Sequence, residues 1–303
     1  MTLDEIIKER LKRLNDIPDR LMNGVERSQQ TMLNEIDTLL NQLDVVDGTI
    51  VMSKENIIKI GKITEDLRQV LHGSDYVDAV KTFINEFPKQ AKITTSQYNK
   101  MGLDIPVDDA KMLEALTYGN QKAALDLLSD NAIDNALLTP IKQQLNASVT
   151  SSANFKQTLD TIRTYISGGT INDEPIEGNM YRYVKQVAYD SYATADRSYG
   201  QQINNSLGLD WYVYRGGELP TTRCFCDERN GKYYHRKEIE LWGQGLQVGS
   251  CDYPWQGMRK GTNSETIFTF VGGYNCRHIL VPVMEERVPP ADIEKAKQKG
   301  YIK

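Results

Sequence analysis

The sequence predicts a mainly α-helical protein that ends in a small α+β domain. Two observations lead to this fold class. Apolar side chains recur at helical spacing through the N-terminal two thirds of the chain, whereas strand-like alternation begins only after Gly208. All four cysteines and two of the three histidines lie between Cys224 and His278. The side chains that can coordinate or react are therefore concentrated in the C-terminal part.

The N-terminal segment carries two runs of apolar side chains at helical spacing, over residues 3–14 and 32–43. Pro18 and Gly24 lie between these runs, and both residue types disfavour the interior of a helix. The pattern therefore predicts two amphipathic helices with a break between them.

Further helices are expected after this pair. Ser53 precedes an apolar periodic segment, and Asn56 follows at the third helical position, which is typical of an N-cap. His72 and Gly73 are expected to end this helix. Other helical patterns cover residues 74–88, 107–118, 121–128, 133–145 and 155–166. Residues 1–167 are therefore assigned to one helical region.

Residues 168–208 are expected to form a linker followed by a long helix. A Gly-Gly pair at 168–169 and the segment 172–175 break the helical periodicity and predict a hinge. A helical pattern rich in tyrosine then covers residues 176–207, and Gly208 is expected to end it.

The segment 209–290 is expected to fold as a small α+β domain that contains the Cys and His residues, followed by a charged tail over 291–303. Its predicted elements are strands over 211–215, 266–271 and 279–283, a turn at 216–217 and a short helix over 236–242. Both residues of the Asn-Gly pair at 230–231 tolerate positive φ, which predicts a hairpin that holds residues 225–226 against 233–234.

Composition and charge limit the partners and the cell compartment expected for this protein. The net charge of −5 is uneven, because residues from Asn205 onward carry 14 basic against 12 acidic side chains. This slight excess favours an anionic partner only for the C-terminal part. The charged amphipathic N-terminus is unlike a secretory signal, and no apolar run reaches the length of a membrane span. We therefore expect a reducing cytoplasm, where clustered thiols are more often metal-bound or free than disulfide-bonded.

The cysteines and histidines predict a candidate zinc site. Zinc prefers four sulfur or nitrogen ligands, commonly supplied as two close pairs. Alternate residues of a strand point the same way, so a one-residue gap still directs both side chains of a pair at one ion. The expected ligands are Cys224, Cys226, Cys276 and His278, with Cys251 and His235 as alternates. The other interpretation is a set of reduced cysteines that pack as small hydrophobic side chains.

Two enzymatic interpretations rest on fewer residues. Cys276 and His278 fit the nucleophile and base of a cysteine hydrolase, but the sequence identifies no orienting third residue. Arg215 with Glu238 and Glu240 fits part of an ADP-ribosyltransferase-like toxin, although a Glu-x-Glu pair on a helix is usually a solvated face. We therefore expect no catalytic site.

Four segments of the C-terminal domain, taken in order, resemble one protein family. They are Gly208–Tyr214, Thr221–Cys226, Asn230–Tyr234 and Gly272–His278, followed by Pro282. Their order and approximate spacing are similar to those of the minor head, or head-morphogenesis, proteins of tailed bacteriophages, a family that includes the Mu F-like proteins. The resemblance covers about residues 185–285. The sequence departs from the family pattern at Cys224 and in a longer insert over 242–262.

This resemblance implies a structural protein of the virion without enzymatic activity. It implies assembly in the host cytoplasm, a few copies at the portal vertex or in the capsid interior, and a role in head assembly and in DNA packaging or ejection. The implied partners are the portal protein, scaffold or other head proteins, together with double-stranded DNA.

Basic side chains of the C-terminal domain are candidate DNA contacts, because phosphates attract Lys and Arg. They are Arg215, Arg223, Arg229, Arg236, Lys237, Arg259, Lys260 and Arg277. The other interpretation is a mixed-charge solvated surface, since Asp227, Glu228, Glu238 and Glu240 are interleaved with them. Two alternatives to the head protein remain open at this point. One is an enzyme or toxin delivered with the genome, and the other is a zinc-dependent cytoplasmic adaptor.

Overall fold

A computed structural model describes residues 1–171, 174–217 and 219–303. It confirms a mainly α-helical chain with a small α+β region near the C-terminus. The chain divides into two compact units: unit 1 contains Met1–Ile17, Glu86–Lys122 and Tyr189–Lys303, and unit 2 contains Pro18–Asn85 and Ala123–Ala188. Each unit is therefore discontinuous in sequence. Within the described ranges, no helix combines the length and the apolar character needed to cross a membrane.

The helices, in chain order, are α1 (Leu3–Leu40), α2 (Lys54–Leu71), α3 (Ser74–Ile84), α4 (Phe87–Lys100), α5 (Val107–Leu127), α6 (Asp130–Ile133), α7 (Thr139–Thr150), α8 (Phe155–Ser167), α9 (Asn179–Ser206), α10 (Cys224–Asp227), α11 (Arg236–Gly243), α12 (Ile267–Phe270) and α13 (Pro290–Gln298). A π-helical turn, Asp134–Leu138, precedes α7, and a 3-10 turn, Glu285–Arg287, precedes α13. The strands are β1 (Val45–Val46), β2 (Thr49–Ile50), β3 (Gly168–Ile171), β4 (Glu174–Glu177), β5 (Trp211–Arg215), β6 (Tyr233–His235) and β7 (Ile279–Pro282).

α1 is one continuous helix, so the predicted break between two N-terminal helices is wrong. Ile17 and Leu21 are at most 2% exposed, and the apolar face therefore continues past Pro18. Burial of this face outweighs the single backbone hydrogen bond that a proline removes. Gly24 permits close packing instead of breaking the helix, because a Cβ at this position would overlap the Cβ of Ala79 in α3.

α2 confirms the prediction from its capping residues. The side chain of Ser53 accepts a hydrogen bond from the backbone N–H of Asn56 at 3.1 Å. The next helix ends earlier than predicted, at Ile84. Pro88 lies in the first turn of α4, where its missing N–H has no helical partner to lose. α4 is not predicted from the sequence, because a proline at position 88 is typical of the end of a helix.

The predicted hinge after residue 167 is an antiparallel β-hairpin in unit 2, with Gly168 of β3 opposite Glu177 of β4. Asn172 and Asp173, which belong to the predicted hinge, lie outside the described residues. α9 then follows close to its predicted bounds, and Gly208 comes after it with φ +63°.

An antiparallel sheet with strand order β6-β5-β7 organises the C-terminal part of unit 1. β5, β7 and α11 match their predictions. The predicted strand over 266–271 is wrong, since this segment contains α12. The side chain of Asn263 accepts hydrogen bonds from the N–H groups of Glu265 and Thr266, at 2.8 and 2.9 Å, and so turns the chain into a helix.

The predicted hairpin at 230–231 is also wrong. Residues 225–226 lie in α10, and β6 pairs with β5 instead, so that Tyr234 is opposite Tyr212. The N–H of Gly231 donates to the carbonyl of Tyr214 at 2.8 Å, which closes this pairing. The hydrophobic core beside the sheet contains Tyr212, Tyr214, Phe225, Cys226, Tyr234, Ile239, Trp242, Trp255, Ile267, Phe268, Val271, Cys276 and Leu280.

The helical part of unit 1 has a polar interior. Arg10 of α1 is 1% exposed and donates to the carboxylate of Asp196 in α9, with 2.8 Å from Nε to Oδ1. Asp196 also accepts from Gln90 and Thr94 of α4, each at 2.9 Å. A buried charge is tolerated only when its hydrogen-bonding capacity is satisfied. These polar contacts therefore fix how α1, α4 and α9 align.

Candidate metal centre

Three buried side chains meet beside the C-terminal sheet: Cys226 of α10, and Cys276 and His278 of the segment that leads into β7. Their ligand atoms all lie within 4.8 Å of one another, and the two sulfur atoms are 3.8 Å apart. Each residue is at most 5% exposed. These residues are named the thiol-imidazole cluster.

The turn before β7 places two of the three side chains. Asn275 adopts φ +56°, and its N–H donates to the carboxylate of Asp190 at 2.6 Å. Asn tolerates this left-handed conformation better than most residues. Cys276 and His278 therefore reach the cluster from an irregular segment, whereas the sequence predicted that they share one face of a strand.

Two glycines make room for the cluster. A Cβ on Gly272 would overlap the sulfur of Cys226 and lie 3.0 Å from the sulfur of Cys276. A Cβ on Gly216 would overlap the imidazole ring of His278. Only glycine at these positions lets the backbone approach the three side chains so closely.

Protonation of the two thiols is coupled. The hydrogen bond from Cys226 lowers the pKa of Cys276 well below its ordinary value, and the charges of Arg197 and His278 act in the same direction against the effect of burial. The same hydrogen bond, together with burial, raises the pKa of Cys226. The two thiols therefore titrate as a coupled pair.

Tyr214 of β5 contacts both ends of the cluster. Its hydroxyl donates to the sulfur of Cys226 at 3.2 Å, and its ring stacks on His278 with 5.2 Å between centroids. Nε2 of His278 is buried without a hydrogen-bond partner among the described residues. A buried nitrogen without a hydrogen-bond partner costs stability.

Arg197 of α9 holds the backbone of the cluster. Nε donates to the carbonyl of His278 at 2.9 Å, one terminal nitrogen donates to the carbonyl of Thr269 at 3.2 Å, and the other donates to the carbonyl of Cys276. Arg197 is 4% exposed. The planar guanidinium therefore fixes two cluster residues through their main chain.

The geometry of the cluster fits a metal ion of the zinc class. Zinc-sulfur bonds of about 2.3 Å in a tetrahedral site separate two sulfurs by about 3.8 Å. The observed separation between Cys226 and Cys276 is 3.8 Å. His278 offers a ring nitrogen as a third ligand atom. The hydroxyl of Tyr214 donates to the sulfur of Cys226, as groups that orient metal ligands do. Among the described residues, no fourth Cys, His, Asp or Glu joins this group.

The structure corrects the predicted ligand set. Cys224 forms a disulfide with Cys251, so neither is a ligand of this cluster, and the expectation that the cysteines are metal-bound or free is wrong for this pair. Residues two apart on a helix point in nearly opposite directions, and α10 therefore separates Cys224 from Cys226. His235 is remote from the cluster in the sheet register, since it lies opposite Trp211 and stacks on Tyr301.

The burial of Cys276 and His278 does not match the geometry of a cysteine hydrolase site. A nucleophilic cysteine needs a substrate carbonyl within reach of its sulfur. Cys276 is 5% exposed and lies against Cys226 and Gly272. Glu238, from the toxin interpretation, is 8% exposed and pairs with Lys299 at 3.1 Å.

Several of the predicted DNA-contacting residues are engaged inside the protein. Arg229 is 3% exposed, with its guanidinium 4.0 Å from the ring centroid of Phe225, so it presents no surface to a phosphate. Arg259 donates to Thr194, and Arg277 lies 4.1 Å from the ring centroid of Tyr189.

The remaining predicted contacts differ in exposure. Arg215 pairs with Asp4, Arg223 donates to the carbonyl of Gly272, and Arg236 pairs with Asp210. Lys237 and Lys260 are exposed. Most of these basic side chains are therefore engaged in contacts within the protein.

Comparison of the chain with protein-family models, with curated proteins and with solved structures finds no match.

Proposed function

We propose that the protein is a structural minor head protein of a tailed bacteriophage that acts near the portal vertex in head assembly and in DNA packaging or ejection. The segments that resemble the family share one hydrophobic core, and this observation supports the proposal. β5, α10, β6 and the turn before β7 all contribute side chains to one buried cluster, represented by Tyr214, Phe225, Tyr234 and Cys276. Motifs that belong to one domain are expected to share a core in this way.

A structural role accounts for the reactive side chains better than a catalytic role. The thiol-imidazole cluster is buried, and its polar atoms face Tyr214 and the backbone that Arg197 holds. A sheet of three short strands buries little apolar area, and an internal cross-link compensates for a small core.

The proposal includes zinc as the internal cross-link. Cys226, Cys276 and His278 would hold the ion, which would join α10 to the segment before β7. When bound, zinc supplies fixed tetrahedral bonds and no redox chemistry. The helical remainder of the chain would then contact the portal protein, scaffold or other copies.

The location in the particle is tested by deleting the gene from its phage or prophage and restoring it on a plasmid. Purified particles from the restored strain are expected to contain the full chain together with the portal protein, and particles from the deletion strain are expected to lose infectivity. A chain that remains in the particle-free lysate, with no effect of deletion on particles, contradicts the proposal and favours a cytoplasmic adaptor.

The zinc assignment is tested by elemental analysis of the oxidised, full-length protein. About one zinc ion per chain is expected, and Cys276→Ser is expected to abolish it. Cys251→Ser is the matched control, because this residue lies outside the cluster and its replacement leaves the ion in place. Protein that takes up no zinc under these conditions overturns the assignment but not the head-protein role.

A further inference from the structure

The disulfide between Cys224 and Cys251 lies beside a carboxylate. The sulfur atoms of both residues and a carboxylate oxygen of Glu228 all lie within 4.8 Å of one another. Oε2 of Glu228 is 3.3 Å from the sulfur of Cys251. Cys224 is exposed, so this group is open to solvent, unlike the thiol-imidazole cluster.

The contact between Glu228 and Cys251 has no donor in the disulfide state. A disulfide sulfur carries no proton, so the carboxylate faces sulfur lone pairs. The carboxylate of Glu228 also accepts hydrogen bonds from the backbone N–H and the hydroxyl of Ser250. Nη1 of Arg229 is 3.7 Å from Oε2 and balances part of the charge of this carboxylate. The contact between Oε2 and the two sulfurs becomes more favourable when the sulfurs carry protons or when a cation lies between the three atoms.

Local structure holds the three side chains in place. The N–H of Glu228 donates to the carbonyl of Cys224 at 3.0 Å, and this helical turn puts both side chains on one face of α10. Ser250 donates to Oε1 from its backbone at 3.2 Å and also from its hydroxyl, which leaves Oε2 toward the sulfurs. Gly249 has φ +71°, and a Cβ at this position would overlap the carboxylate.

We propose that Cys224, Glu228 and Cys251 form a second metal site, for a divalent cation of the zinc class, when the disulfide is reduced. A dithiol or a phosphine supplies two electrons to the sulfur-sulfur bond, and two protons from solvent complete the thiols. Binding of the cation then releases these two protons, as two thiolates and one carboxylate become ligands. Solvent fills the fourth position.

The site and the disulfide are mutually exclusive states of the same sulfurs. A cation would keep the insert fastened to α10 in a reducing compartment, and the disulfide does so in an oxidising one. This inference is independent of the proposed function and of the thiol-imidazole cluster.

The test counts zinc in the full-length protein in two states, oxidised and reduced with a phosphine, with thiol titration to verify the state. We expect the reduced protein to bind about one ion more than the oxidised protein. A failure of the thiol-imidazole site lowers both counts equally, so the difference isolates the second site. Equal counts, with the disulfide shown to be reduced, overturn the inference.

A variant of Glu228 and a matched control test the role of this carboxylate without removing a cysteine. Glu228→Gln keeps the disulfide and is expected to weaken zinc binding by the reduced protein at least about tenfold. Asp227→Asn is the matched control, because Asp227 is exposed, adjacent in sequence and outside the group. Cobalt in place of zinc gives a second readout, since sulfur-to-cobalt absorption should rise on reduction. Unchanged affinity in Glu228→Gln contradicts the assignment of this carboxylate.

Discussion

Arg197 donates from Nε to the carbonyl oxygen of His278 at 2.9 Å, so a residue of the long helix α9 fixes the main chain of a cluster residue. The same guanidinium reaches the carbonyls of Thr269 and Cys276. The C-terminal segment is thus attached to α9 through backbone atoms, which a sequence motif of side chains does not reveal.

Arg197→Met is expected to lower the free energy of unfolding by about 3 kcal/mol or more, because it leaves buried carbonyls without donors. Urea denaturation of the full chain measures this change. Arg182→Met provides the control, since Arg182 lies on the same helix but is exposed, and surface replacements of this kind usually change stability by less than about 0.5 kcal/mol. Equal effects of the two variants contradict the anchoring role.

Gly272→Ala is expected to destabilise the protein and to prevent zinc binding, because the added Cβ would overlap the sulfur of Cys226. Gly119→Ala is the opposite case: Gly119 lies inside α5 with no atom within 4 Å of the added Cβ. Removing a glycine from a helix interior stabilises by about 0.5–1 kcal/mol. Melting temperatures and zinc content should therefore separate the two variants, and a neutral Gly272→Ala would show that the sulfurs can move aside.

Cys251→Ser tests the disulfide between Cys224 and Cys251, a pairing that the sequence does not predict. The bond joins residues separated by 27 positions, and loop-closure entropy for this length corresponds to about 3.5 kcal/mol. In oxidising, metal-free buffer, the free energy of unfolding of the variant should be lower than that of the parent protein by about this amount. Reducing, metal-free buffer should erase the difference. A difference that persists after reduction would mean that the serine disturbs packing instead.

His235 is expected to make stability depend on pH. Burial lowers the pKa of His235 below 6.5, with Lys237 acting in the same direction. Its Nδ1 accepts from the N–H of Lys237 at 3.3 Å and caps α11, which requires the neutral ring. Because the unfolded chain binds the proton more readily, the contribution is complete above pH 6.5 and is lost as pH falls through the folded pKa.

The variant His235→Asn separates this effect from other titrations, since Asn also caps helices but does not titrate. The free energy of unfolding, measured from pH 8 to pH 5, should fall more steeply for the parent protein than for the variant. Parallel curves would indicate that His235 contributes nothing to acid sensitivity.

The elements that were predicted correctly are those determined by interactions between residues close in sequence. Ser53 caps α2, and Trp211–Arg215 is rich in aromatic and β-branched residues, so both elements were predicted correctly. The predicted strand over 266–271 is wrong because the side chain of Asn263 accepts hydrogen bonds from the N–H groups of Glu265 and Thr266, and this turn before α12 outweighs the strand preference of β-branched and aromatic residues.

The candidate site could be predicted only in part. Cys226, Cys276 and His278 were identified because their residue types are rare elsewhere in the chain. The pairing of Cys224 with Cys251 could not be derived, because connectivity depends on tertiary distances. The role of Arg197 could not be derived for the same reason: its partners are main-chain atoms more than seventy residues away.

The discontinuity of unit 1 has a consequence for synthesis on the ribosome. Every residue of unit 2 is translated before Tyr189, whereas unit 1 needs segments from both ends of the chain. The guanidinium of Arg10 therefore has no carboxylate partner until Asp196 has been translated. Since long-range contacts form late and nascent chains fold in the order of emergence, unit 2 should fold first. A ribosome stalled when Ala188 has left the exit tunnel but Asp196 has not would accordingly display a protected unit 2 and a protease-sensitive N-terminal segment.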